Sequence, residues 1–62
     1  MNDSENLRDS IQDLAESISQ SLGDTVVQHV FHLYEIKDIH TASISSLWDV
    51  FNELDAIAAD LN

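Results

Sequence analysis

Sixty-two residues carry twelve acidic side chains against two basic ones, a formal charge of −10 at pH 7, with neither proline nor cysteine. A field of this sign repels nucleic acid and anionic membrane and favours encounter with basic protein surfaces. The length admits one domain, the absence of cysteine excludes a disulfide, and a hydrophobic content of 44% is too high for a disordered acidic tail.

The first predicted element is a helix over 3–22. At about 100° per residue, Leu7, Ile11, Leu14, Ala15, Ile18 and Leu22 fall on one stripe. Asn2 is placed to cap it with Glu5 three residues on, and Asp3 and Glu5 suit the positive end of the helix dipole. Gly23, the only glycine, ends this helix, since glycine alone enters left-handed backbone without steric cost, and Asp24 is placed to cap the next one.

A second helix is predicted over 25–35, with Val26, Val27, Val30, Phe31 and Tyr34 on one face and Gln28, His32 and Glu35 opposite. Its valines make it a weak helix by propensity, so its stability has to come from packing, and a short strand over 25–30 is the alternative. In the connection that follows, Ile36 and Ile39 are apolar enough to plug the end of a core. Ser43 caps a third helix over 43–61, with Ile44, Leu47, Trp48, Phe51, Leu54, Ala58 and Leu61 as its apolar stripe.

Together these elements predict an all-α fold, a small three-helix bundle in one acidic domain over 1–62. A chain this short buries only about 60% of the surface its unfolded form exposes, so self-association, most simply a homodimer, is expected to add stability. Val50 and Ile57 widen the apolar arc of the third helix on one flank and Trp48 stands at its other edge. These three residues are the expected dimer or apolar partner interface. The opening residues lack the basic and apolar segments of a secretory signal and no apolar run is long enough to span a bilayer, so a cytoplasmic location is expected.

The run Val50-Phe51-Asn52-Glu53-Leu54-Asp55-Ala56-Ile57-Ala58-Ala59-Asp60-Leu61, entered from Ser43 after a helix containing Tyr34, resembles short uncharacterised acidic helical proteins of Firmicutes mobile elements. It departs from them at Ile44, Asp55 and Ala58, where a proline, an aromatic residue and an acid would be expected. The resemblance implies a mobile-element context. It implies no activity and transfers no site residue.

The features that exceed what folding requires are two acidic rows. Glu5, Asp9, Asp13 and Glu16 lie within about 80° on the first helix, opposite its apolar stripe, and Asp49, Glu53 and Asp60 lie within about 40° on the third. A carboxylate every three or four residues recurs at about 5 to 6 Å along the helix axis, close to the spacing of phosphates along a nucleic-acid strand. Like charges so placed cost a few tenths of a kcal/mol per pair, with almost no lysine or arginine to offset them. These seven residues are the expected partner-binding set. The expected partner is a basic protein surface, that of a nucleic-acid-binding host protein which this chain would inhibit or modulate in the manner of acidic anti-CRISPR and anti-restriction proteins. Direct binding to nucleic acid or membrane is not expected. The alternative is a helical dimeric interaction module that grips a partner through its apolar flank, with the charge serving solubility.

Catalytic chemistry finds no footing in this pattern. Serines are scattered along the chain without a base held against them, and paired carboxylates such as Asp13 and Glu16 lie on a convex face where nothing sets their acidities apart. His29 and His32 stand at i, i+3, with Glu35 and Asp38 nearby, but no cysteine or His-Glu-x-x-His accompanies them. They read as helix-edge residues, His29 half-buried against the valines, and no enzyme, metal or other cofactor is expected.

Overall fold

The computed structural model describes residues 3–61, with side chains from Glu5 onward. It contains three helices, α1 (Asp3–Leu22), α2 (Asp24–Leu33) and α3 (Ile44–Asp60), packed as a small three-helix bundle. The expected cap at Asn2 lies outside the described residues, and so does its pairing with Glu5. Leu7, Ile11 and Ile18 of α1 meet Val27 and Val30 of α2 and Leu47, Val50 and Leu54 of α3 in an entirely aliphatic core. Among the described residues no polar side chain is buried there. The hydrophobic effect alone therefore holds the centre, without hydrogen bonds to fix its register.

Helix α1 is the central element. It packs against both α3 and α2, whereas α2 and α3 touch each other least, leaving a groove between them. The extents of 30 × 23 × 15 Å describe the resulting flattened bundle.

The junctions show how the backbone turns. Gly23 donates its N–H to the Ser19 carbonyl at 2.9 Å, completing α1, and then takes φ 94° and ψ 161°, a region essentially confined to glycine. It is also the N-cap of α2, with no side-chain hydrogen bond at that end. The expected cap Asp24 is instead the first residue of the helix, where its charge still suits the dipole. One glycine serves both helices because it is the single residue between them.

Helix α2 stops at Leu33, two residues before the predicted end. Glu35 adopts φ 57°, so its N–H bonds back to the His32 carbonyl at 3.0 Å and that of Ile36 to the Phe31 carbonyl at 2.9 Å. This is the Schellman arrangement, with a glutamate at the position usually held by glycine and the apolar pair Phe31 and Ile36 closing it. The connection is packed as expected, since Ile36 and Ile39 are half-buried against the core. Asp38 organises its second half: its carboxylate accepts from the His40 N–H at 2.9 Å and its carbonyl from the Thr41 N–H at 3.2 Å. Ser43 caps α3 as predicted, its hydroxyl accepting from the Ser46 N–H at 3.2 Å.

Candidate functional site

The acidic row of α1 emerges intact. Glu5, Asp9, Asp13 and Glu16 are all exposed, on the side of the helix opposite the buried Leu7, Ile11 and Ile18. From Glu5 to Glu16 the row runs about 17 Å along a straight surface. Arg8 stands beside it, but Nε donates to the Ile39 carbonyl at 3.1 Å and Nη2 to the His40 carbonyl at 3.4 Å. Its guanidinium thus ties α1 to the α2–α3 connection. Sequence pattern could not foresee this role, because the partners are backbone carbonyls 31 and 32 residues away.

The row of α3 divides. Asp49 and Asp60 are exposed, whereas Glu53 is half-buried and accepts a hydrogen bond from the Tyr34 hydroxyl at 3.4 Å. The expectation of three outward carboxylates is therefore corrected at Glu53. The buried residues Leu47, Val50 and Leu54 span about 60° of α3, centred nearer to Val50 than to Trp48. That rotation draws Glu53 to the edge of α2 and leaves Ile44 and Trp48 about half exposed, at 53% and 50%.

The apolar flank is corrected for the same reason. Val50, expected at an interface, has no exposed surface and belongs to the core. Trp48 and Ile57 lie on opposite flanks of α3. Trp48 borders a shallow cavity with Asn6, Leu7, Ser10 and Ile44, its ring edge-to-face with Phe51 at 5.6 Å. Ile57 lines the groove shared with α2. The three residues form no single surface.

That groove is wide open to solvent, with about 510 Å³ between Val26, His29, Val30 and Leu33 on one side and Glu53 and Ile57 on the other. Leu33 is 57% exposed on its wall. The predicted apolar face of α2 omitted it, although its spacing four residues after His29 and three after Val30 was visible. His29, expected half-buried, is exposed, because α3 does not close over this side of α2.

At Tyr34 the surroundings act on an ionisable group. Partial burial raises its pKa above the ordinary 10.0, and the carboxylates of Glu53 and Asp49 push it the same way, as does the hydrogen bond that the neutral hydroxyl donates to Glu53.

Among the described residues no group of three or more histidine, cysteine or acidic side chains is placed to hold a metal ion, and no helix is long and apolar enough to cross a membrane. No protein-family model, no curated protein and no solved structure matches this chain.

Proposed function

We propose that the chain is a non-enzymatic acidic binding protein of a mobile element, which inhibits or modulates a nucleic-acid-binding host protein by presenting the carboxylate row of α1 to its basic surface. The observation that carries this reading is the uniform exposure of Glu5, Asp9, Asp13 and Glu16 on the face opposite the core. Folding gains nothing from crowding like charges at i, i+4, and spreading them would relieve the repulsion. The α1 row, rather than that of α3, is the docking element, because half-buried Glu53 leaves α3 without a continuous exposed row.

The test is capture of a host protein by the immobilised chain, followed by a salt series, competition with duplex DNA, and the triple variant Asp9→Asn, Asp13→Asn, Glu16→Gln. Charge-assisted contacts contribute roughly 1.5 to 3 kcal/mol each when desolvated, so the variant is expected to weaken capture by more than about a hundredfold. Capture that survives the variant and resists both salt and DNA would overturn the reading.

The half-exposed Ile44 and Trp48 favour a second reading, a dimeric helical module that grips its partner through this apolar patch. Trp48→Ala then abolishes binding, or dimerisation measured by sedimentation, while neutralising the α1 row does not.

A further inference from the structure

The groove between α2 and α3 lies away from the α1 row and differs from it in chemistry. Its floor and walls are mainly apolar, through Val26, Val30, Leu33 and Ile57, with Leu33 more than half exposed. Sparse contact between α2 and α3 leaves this surface without a cover from the chain itself. We propose that the groove receives a basic amphipathic helix of a partner protein, whose apolar face sits on these side chains while a lysine or arginine meets Glu53.

Charge complementarity selects this occupant. Glu53 stands on the groove wall, and Asp49 lies one turn before it on the same helix. Tyr34, just past α2, meets Glu53, and Thr25 at the start of α2 lines the groove with Ile57, so Asp24 lies toward the same end as Asp60, three residues beyond Ile57. Carboxylates thus flank both ends of the groove. Neither basic residue lines it: Arg8 reaches the Ile39 carbonyl, and Lys37 borders a different cavity beside Ile36. A second copy of this chain, also at −10, would bring acid against acid here, and an anionic ligand would meet the same repulsion.

Dimensions select a helix among cationic occupants. The ten residues of α2 make a wall about 15 Å long, enough to register anchors at i, i+3 or i+4, and i+7 over about 10 Å of a docked helix. The Tyr34 hydroxyl reaches Oε1 of Glu53 at 3.4 Å, a long contact beside which a lysine or arginine can share the carboxylate.

The experiment titrates the isotope-labelled chain at about 0.15 M salt, where long-range charge attraction is screened beyond about 8 Å. The probes are an 18-residue peptide with leucines at helical spacing and lysines elsewhere, and its counterpart with glutamates for the lysines. The lysine peptide is expected to shift the amide resonances of Val26, His29, Leu33 and Ile57 saturably, and the glutamate peptide to leave them unchanged. Leu33→Asn, at a site exposed enough to leave the fold intact, is expected to weaken binding at least about tenfold, and Glu53→Gln by about fivefold to tenfold. Shifts confined to Glu5, Asp9, Asp13 and Glu16, equal binding of both peptides, or unchanged affinity in both variants would overturn the proposal. So would a dimer of the unmodified chain that Leu33→Asn dissolves, which would make a second copy the occupant. Because the α1 triple variant leaves the groove untouched, the two surfaces succeed or fail separately.

Discussion

Arg8 and Ile39 are joined by a 3.1 Å hydrogen bond from the guanidinium Nε to a main-chain carbonyl, with Nη2 reaching the next carbonyl at 3.4 Å. Two bonds from one planar group hold the connection between α2 and α3 against α1. Arg8→Ala is expected to lower stability by about 1 kcal/mol, since the carbonyls can turn to water at a partly exposed site. Arg8→Lys should recover little, as an ammonium does not present two donors in a fixed fork. Urea unfolding monitored through Trp48 measures both, and an unchanged midpoint for Arg8→Ala would show the bonds to be dispensable.

Gly23 and Glu35 both have positive φ, yet substitution is expected to act in opposite directions. A methyl group at Gly23 meets nothing closer than the Thr25 hydroxyl at 4.0 Å, so the cost of Gly23→Ala is backbone strain, about 2 kcal/mol. Glu35→Gly relieves strain at φ 57° and gives part of it back as entropy of the unfolded chain, for a net gain of about 0.5 kcal/mol. Thermal midpoints should therefore fall for the first and rise by a few degrees for the second.

Val50 and Trp48 are expected to exchange the importance that their side-chain sizes suggest. Val50→Ala removes fully buried methyl groups and is expected to cost about 2 kcal/mol, a drop near 10 °C in a domain of this size. Trp48→Ala removes a half-exposed ring in contact with Phe51 and is expected to cost at most about 1 kcal/mol. A larger loss at Trp48 would place that ring inside an interface.

Tyr34 links stability to alkaline pH. Because its folded-state pKa lies above 10.0, the folded chain retains this proton where the unfolded chain releases it. The contribution is complete below pH 10 and is lost as pH rises through the folded value. With one tyrosine in the chain, tyrosinate absorbance reads this site alone. Glu53→Gln removes one of the raising charges and is expected to bring the transition back toward 10, while an unmoved transition would assign the shift to burial.

The three helices were legible in sequence because each carries an apolar stripe at helical spacing, and two of their ends are written in residue chemistry: a glycine at 23 and a serine at 43. The end of α2 was less legible, since a glutamate occupies the left-handed position where composition offers no sign of it. The α1 carboxylate row was likewise visible, because residues opposite a strong apolar stripe must face solvent whichever partner the stripe finds. Helix α3 is different. Its apolar arc is wider than one packing face, so periodicity alone leaves its rotation open, and only the positions of α1 and α2 place Val50 in the core, Trp48 at the surface and Glu53 beside Tyr34. The groove belongs to the same level: whether two helices close on each other or splay over a central third is settled by how whole side-chain surfaces interlock, which no single helix encodes.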